Sequence, residues 1–242
     1  MAYSTITPIA GQTQQGYLNV VDNVKRGQLG LVVQAVDNYW GYGEFMYVQF
    51  PASAAVSQGQ LLTWSGYGDA NGYQVAAAPV TANTGRPVGV AIHPCPNVSV
   101  SCYGWLQLAG NAVIKAATSV AAGATFGIDS TTAGQVTTNS AGRQVLNAVS
   151  IGASTNTLVK TATLNAGSAV IIVNSADGWV PGMALSGTGI AGGTTVSSID
   201  VDYRRVTMSA AATAGGVSSV TGTFTGFIIA QINRPFLQGA IT

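Results

Sequence analysis

VSQGQLL (56–62), GYQV (72–75) and GRPVGVAI (85–92) are followed later in the chain, in the same order, by VAAGATF (120–126), AGQV (133–136) and GRQVLNAV (142–149). Each copy has a valine three residues before a glycine, an apolar segment, a Gln-Val pair, and a Gly-Arg pair that precedes a valine-rich segment. Short apolar segments separated by glycine turns are typical of hairpins, and the turns expected here are DANG (69–72) and TTAG (131–134). The repeat predicts two related β units, each a hairpin followed by another strand.

Other segments alternate with the period of a strand. In residues 45–50 both faces of the alternation carry apolar side chains, so this strand is expected to be buried on both sides. Residues 103–108 alternate in the same way. Residues 112–117 (AVIKAA) fit a short helix or a strand, and the β-branched centre with the nearby glycines favours a strand.

The composition points to the same class. Charged residues make up 7% of the 242 residues, against roughly 25% in an average globular chain. Glu occurs once and Lys three times. These two residue types usually occupy the exposed positions of helices, and Gly, Ala, Ser, Thr and Val replace them here. We therefore predict an all-β protein, long enough for one large domain or for a main domain with a small one.

The amino-acid composition changes at about residue 154. Residues 154–223 are rich in Thr, Ser, Gly and Ala, with short strands expected at 169–174, 194–199 and 204–208. The apolar segments on either side, 145–151 and 227–232, have the pattern of neighbouring hairpin strands. We predict an N-terminal arm of residues 1–28, a main barrel-like domain of residues 29–153 and 224–242, and a small inserted β domain of residues 154–223 that projects from it.

The low net charge limits the classes of partner that the protein can attract. A net charge of +1 gives no field that would attract nucleic acid or a membrane surface, and no apolar run approaches the ~18 residues of a membrane helix. The first residues, MAYSTITPIAGQ, lack the basic start and apolar core of a signal peptide, so synthesis in the cytosol is expected. So little charge favours association, and we expect a protein that packs against copies of itself or a larger shell.

No catalytic, metal or cofactor site is predicted. The single histidine, His93, lies in a proline-rich bend without an acid to orient it, so it is interpreted as a loop residue rather than as a base for Cys95. Cys95 and Cys102 are expected to be free thiols, although a disulfide across the bend is geometrically open. Two Cys and one His do not complete a four-ligand zinc site.

Two further motifs have structural interpretations. GTGIAG (187–192) matches the G-x-G-x-x-G pattern, but a strand-like segment follows it where a nucleotide-binding helix is required, so a turn is predicted. Asp200 and Asp202 are candidates for a carboxylate pair in hydrolysis or Ca²⁺ binding. Cross-strand pairing with Arg204 and Arg205 explains them more simply.

Two aromatic groups supply the candidate interface residues: Tyr39, Trp40 and Tyr42 in one loop, and Trp64 with Tyr67 in a second segment. Aromatic platforms stack on sugars, and they also anchor protein interfaces, where Tyr and Trp are enriched. In a chain with so little charge, the interface role is favoured over the sugar role.

Three segments carry a resemblance to a known family: GEFMYV (43–48), YGWLQLAGNAVIK (103–115) and INRPF (232–236). In this order they resemble the head decoration, or capsid cement, proteins of tailed bacteriophages, over residues 28–152 and 224–236. The inserted region, with GMALSGTGI (182–190) and TTV (194–196), resembles modules that recur in phage structural proteins. The resemblance implies a β-barrel or β-tulip-like fold, assembly on a capsid and no catalysis, and it supplies no site residues.

The expected function is that of a non-enzymatic virion structural protein. It would bind the major capsid protein on the outer surface of a phage capsid, as a homo-oligomer expected to be a trimer, and would stabilise the shell. It would be made in the host cytoplasm and reside in the virion. The alternative is a host- or glycan-binding fibre or spike component. An enzyme such as a glycosidase is disfavoured by the scarcity of Glu, Asp and His.

Overall fold

The computed structural model describes residues 4–5, 18, 21–52, 55–65, 73–95, 99–200 and 204–240. These residues contain no α-helix and form seventeen strands in three sheets. The predicted all-β class is therefore confirmed. The chain divides into two compact units, a main unit of Ala2–Ala153 with Gly226–Thr242 and an inserted unit of Ser154–Thr225.

The strands of the main unit are β1 (Ser4–Thr5), β2 (Val32–Asp37), β3 (Gly41–Phe50), β4 (Leu61–Trp64), β5 (Val75–Ala77), β6 (Val88–Ala91), β7 (Cys102–Lys115), β8 (Phe126–Ile128), β9 (Val136–Thr138), β10 (Val145–Gly152) and β17 (Phe227–Leu237). Those of the inserted unit are β11 (Thr157–Leu164), β12 (Val170–Val173), β13 (Ala184–Gly187), β14 (Val196–Asp200), β15 (Arg205–Met208) and β16 (Gly216–Thr223).

Nine strands of the main unit form one curled sheet. Its order is β1-β2-β3-β7-β6-β4-β5, with β17 paired to β7 and β10 paired to β17. Strand β7 has fourteen residues, so it can pair with β3 on one edge and with both β6 and β17 on the other. A parallel bridge between Gln49 and Gln74 links β3 to the residue before β5, so that β3, β7, β6, β4 and β5 form a ring. The curled sheet gives the main unit its barrel-like form.

Two apolar clusters make the core of this unit. The first draws on every strand of the ring: Val48, Phe50, Val56, Leu62, Val75, Ala91, Cys95, Cys102 and Leu106. The second joins β17, β10 and the C-terminal half of β7 to the β8–β9 hairpin, and includes Ala112, Ile114, Phe126, Ile128, Val136, Val145, Ile228, Ala230 and Ile232. Burial of these branched and aromatic side chains is the main favourable term for the fold.

Strands β3 and β7 match the predictions made for them. Phe45 and Tyr47 on one face of β3, and Val48 and Phe50 on the other, are each at most 2% exposed, so the strand is buried on both sides. Residues 112–115 belong to β7, which confirms the strand alternative over the helix. The strand at residues 112–115 follows because β7 is a central strand with a neighbour on either edge. β3 is buried on both sides because Val48 and Phe50 belong to the core cluster of the ring, and Tyr47 on the other face packs against Trp105, with ring centroids 5.1 Å apart.

The predicted repeat is present as matching hydrogen bonds. In each copy of the repeat, two backbone hydrogen bonds link the glycine turn to the third strand of that copy. In the first copy they join Gly59 N to Ala91 O (2.7 Å) and Ala91 N to Gln60 O (3.0 Å). In the second they join Gly123 N to Ser150 O (2.6 Å) and Ser150 N to Ala124 O (3.0 Å). Each copy has its antiparallel hairpin, β4–β5 or β8–β9. Gly59 and Gly123 both have a φ of 79°, a left-handed conformation that explains the glycine at this point of each copy. The DANG turn of the first copy lies outside the described residues.

The inserted unit lies in the connection between β10 and β17. These two strands pair with each other, which confirms the prediction that the segments flanking the insertion are neighbours. The unit has a six-stranded sheet in the order β13-β16-β11-β12-β15-β14. Strands β12, β14 and β15 coincide closely with the predicted segments, whereas β11, β13 and β16 were not predicted, because Thr, Ser and Gly obscure their alternation.

Most of the predicted N-terminal arm lies outside the described residues. Its described parts contact their own chain. Ser4–Thr5 pairs with β2, Leu18 is buried, and Asp22 exchanges two backbone hydrogen bonds with Tyr103, of 3.0 and 2.7 Å. These parts of the arm therefore pack as part of the main unit.

Candidate functional site

The aromatic loop joins β2 to β3. Asp37, at the end of β2, is 5% exposed, and its Oδ1 accepts hydrogen bonds from the backbone N–H groups of Tyr39 (2.8 Å) and Trp40 (2.9 Å). This local bonding of an aspartate to the backbone two and three residues on fixes the loop. The rings of Tyr39 and Trp40 meet edge to face, 4.8 Å apart. Trp40 is 3% exposed, whereas Tyr39 and Tyr42 are 43% and 48% exposed, so the two tyrosines are accessible and the tryptophan supports them.

The second aromatic group lies elsewhere. Trp64 pairs with Val75 and packs, partly buried, against the core cluster of the ring. This is the end of β3 at which Gln49 bridges Gln74, opposite to the end that carries Tyr42. Tyr67 lies outside the described residues. The structure therefore does not bring Trp64 together with the Tyr39–Tyr42 loop, and Trp64 has mainly a packing role.

An open groove of about 890 Å³ lies beside Tyr42. Its polar side chains come from three neighbouring strands: Asn111 of β7, Asn147 of β10, and Gln231 and Asn233 of β17. Trp40 and Tyr42 line the side formed by the aromatic loop, and none of the lining residues is charged. The volume is within the range of small-ligand sites, roughly 300–1,000 Å³.

The backbone is irregular around the groove. Asn147 has a φ of 57° where the pairing of β10 with β17 shifts register, and Arg234 on β17 has a φ of 47°. Gly110 has a φ of 99°, and a Cβ there would collide with the carbonyl oxygen of Tyr42. Glycine at position 110 therefore lets β7 and β3 approach closely at the edge of the groove.

Sequence reasoning missed the four amide residues of this groove. Asn111, Asn147 and Asn233 each interrupt a strand pattern, and Asn is depleted in strands. An asparagine inside an otherwise regular strand pattern is the sequence signal that would have identified them. Such an asparagine indicates a bulge, or a polar side chain on the outer face of the sheet that is available to bind a ligand.

A second candidate surface is one face of the inserted sheet. Ala162, Leu164, Ile171, Val173, Val206 and Val220 point to the core of the unit and are buried. The opposite face carries Val159, Val170, Ile172 and Val217, which are 60, 39, 48 and 74% exposed. Thr163 pairs with Val217 on one side and with Ile172 on the other, so these residues form one row across three strands.

His93 lies in a bend after β6, as its interpretation as a loop residue requires. The residue is partly exposed, but its Nε2 atom is buried and has no hydrogen-bond partner among the described residues. Burial lowers the pKa of His93 to about 3. A histidine of this kind stays neutral at physiological pH.

Cys95 and Cys102 are thiols that are not joined in a disulfide, and both are buried in the core cluster of the ring. Burial, together with a hydrogen bond that the Cys95 thiol donates to Cys102, raises the pKa of Cys95 to about 12. The Cys95 thiol is therefore protonated and a poor nucleophile at neutral pH. This arrangement is the free-thiol alternative of the sequence analysis.

The two remaining motifs fold as turns or hairpins. GTGIAG begins at the last residue of β13 and leads through turns into β14, with no helix among the described residues that follow it, so the predicted turn is confirmed. Asp200 is the direct cross-strand neighbour of Arg205 in the β14–β15 pair. Asp202 lies outside the described residues.

Within the described ranges, no group of three or more His, Cys, Asp or Glu side chains is placed to hold a metal ion. The same part of the chain has no helix of the length and apolarity needed to cross a membrane.

Fold and surfaces together define the class: an all-β protein with a curled main sheet and an inserted six-stranded β unit. No protein-family model, curated protein or solved structure matches this chain.

Proposed function

We propose that this protein is a non-enzymatic structural component of a bacteriophage virion, which binds the outer surface of the capsid and stabilises the shell. The observation that carries the proposal is the exposed face of the inserted sheet. Its four branched apolar residues, up to 74% exposed at Val217, lie on three adjacent strands. Exposed apolar side chains grouped on one sheet face favour a surface that another protein covers.

The residues of this face suit an uncharged partner surface better than a charged one. On β16, β11 and β12 its residues are Val, Ile, Thr and Ser, and the charged pair Arg205 and Asp200 lies on the two strands beyond. The part of the face on β16, β11 and β12 is uncharged and matches another neutral surface, such as the major capsid protein or a second copy of this chain, whereas Arg205 lies directly beside Ile172 at its edge. Closed cyclic association of copies, which the proposal takes to be a trimer, avoids open-ended polymerisation.

The sequence resemblance to capsid cement proteins supports the same proposal. GEFMYV, YGWLQLAGNAVIK and INRPF lie on β3, β7 and β17, which are neighbours in the main sheet. A capsid offers many identical sites, so a modest contact per subunit becomes tight when several subunits of one oligomer bind at once.

The test uses particles of the phage that encodes this chain, assembled without it. We expect the purified protein to co-sediment with these particles and to raise the temperature at which they release DNA. The double variant Val217→Lys/Ile172→Lys should lose both effects, because each lysine would have to be desolvated at the contact. Val100→Lys, at a residue of the main unit that is 49% exposed, is the matched control.

Particles that are equally heat-resistant with and without the protein, combined with a protein that neither co-sediments nor oligomerises, would refute the proposal. Binding of the free protein to host cells in the same samples would then favour the fibre or spike alternative.

A further inference from the structure

The groove beside the aromatic loop is crossed by a row of paired residues. Asn111 of β7 pairs with Gln231 of β17, which pairs in turn with Val149 of β10. Asn111 also donates a hydrogen bond from Nδ2 to the carbonyl oxygen of Trp40, 3.3 Å away, which ties the loop to the row. Polar groups held on paired strands keep fixed positions better than groups on isolated loops.

Two register shifts of the main sheet lie close to this row. β10 and β17 shift register between Leu146 and Ala148, with Asn147 in the left-handed region. β3 and β7 shift register next to Gly110. Bulges re-aim side chains, and strained backbone conformations concentrate where a ligand is held.

The chemistry of the groove selects a neutral, hydroxyl-rich ligand. The amide groups of Asn111, Asn147, Gln231 and Asn233 each offer both donors and an acceptor, and a sugar hydroxyl both donates and accepts. Phosphate or sulfate groups would need cations, and the lining has none.

Next to the lining residue Asn233, Arg234 forms an ion pair with Glu44, with Arg234 Nη2 and Glu44 Oε1 2.9 Å apart. Tyr42, 48% exposed, presents an aromatic ring on which the apolar face of a pyranose can stack.

We propose that this groove binds a neutral oligosaccharide, with the amide side chains as partners for its hydroxyl groups and Tyr42 as the stacking surface. This site goes beyond capsid binding, and it lies on different residues from the face assigned to the capsid. A particle that carried it would display a carbohydrate-binding surface on each bound copy.

The experiment screens the full chain against a library of immobilised neutral oligosaccharides, with heparin fragments as charged comparators. The best neutral binder is then titrated by calorimetry. Asn147→Gly removes the amide and keeps a residue suited to the positive φ. Its matched control is Asn83→Gly, which makes the same change at an exposed asparagine with a φ of 60° outside this groove. Tyr42→Ala removes the stacking surface.

We expect neutral glycan binding that weakens by about tenfold or more in Asn147→Gly and in Tyr42→Ala, with Asn83→Gly unchanged. Asn147→Gly should still co-sediment with capsids, and Val217→Lys/Ile172→Lys should still bind the glycan, so the two proposals fail separately. The absence of any retained neutral glycan, retention of heparin fragments alone, or equal affinity in wild type and both groove variants would overturn the carbohydrate assignment.

Discussion

At the scale of single residues, two non-glycine residues with left-handed backbone conformations, Asn147 and Arg234, lie at or beside the groove. Among the described residues other than glycine, positive φ occurs at Asn83, Asn147, Arg204 and Arg234. Asparagine tolerates this conformation because its short amide can bond to nearby backbone, but arginine has no such compensation. Arg234 on β17 forms an ion pair with Glu44 on β3, the strand on the other side of β7. The left-handed conformations at Asn147 and Arg234 therefore both occur in paired strands beside the groove.

Two titratable side chains, Asp129 and His93, link the fold to pH. Asp129, 8% exposed, accepts hydrogen bonds from Thr131 Oγ1 (2.6 Å) and from the backbone N–H of Thr132 (2.7 Å), and these bonds lower its pKa. Its contribution to stability is present above the unfolded pKa, near 3.8, and is lost as the pH falls below that value. His93 responds at a higher pH, because burial lowers its pKa from 6.5 to about 3.

The first prediction concerns His93→Gln. Between about pH 6.5 and pH 3 the unfolded chain binds a proton at His93 that the folded chain does not, so the wild type should lose stability as the pH falls through this window. Glutamine does not titrate, so the variant should lose less. Urea unfolding at neutral pH and at about pH 4.5, above the range of Asp129, measures the difference. An identical loss of stability in wild type and variant would show that His93 is protonated in the folded protein.

At the scale of elements, the repeat accounts for the two hairpins of the main unit. The turn at Gly59 and the turn at Gly123 have the same φ and equivalent hydrogen bonds, yet their surroundings differ. A Cβ at Gly59 would lie 3.0 Å from the carbonyl oxygen of Val113 and 3.2 Å from the backbone nitrogen of Lys115. A Cβ at Gly123 would meet nothing within 4 Å.

We therefore predict that Gly59→Ala destabilises the protein more than Gly123→Ala does. Both variants carry the cost of a left-handed alanine, roughly 1–2 kcal/mol, and Gly59→Ala adds the displacement of β7. Chemical unfolding of the two variants, side by side with the wild type, measures the difference. A loss in Gly123→Ala as large as that in Gly59→Ala would mean that the repeat turns do not have the packing described.

The sequence predicted those features whose signals are local. Glycine and Gly-Arg positions identified the repeat, and alternation identified β3, β7 and the strands that flank the insertion. The groove was missed because its residues lie far apart in the chain, at 40–42, 109–111, 147–149 and 231–233, and only strand pairing brings them together. The burial of Trp40 and the partial burial of Trp64 could not be predicted from the local sequence, because both depend on how distant strands pack around them.

At the scale of the whole molecule, the chain carries two surfaces of different chemistry on two compact units. The inserted unit exposes a row of Val, Ile and Thr, which favours a neutral protein partner. The main unit has an uncharged groove of amide and aromatic groups, which favours hydroxyl groups.

The central claim is that the protein covers the outside of a capsid. Electron cryomicroscopy of particles assembled without the chain, imaged before and after the purified protein is added, tests it most directly. The account predicts additional density on the outer surface at repeated, symmetry-related positions, with the size of a small β-rich oligomer. Reconstructions that are identical with and without the added protein, at saturating concentration, would contradict it.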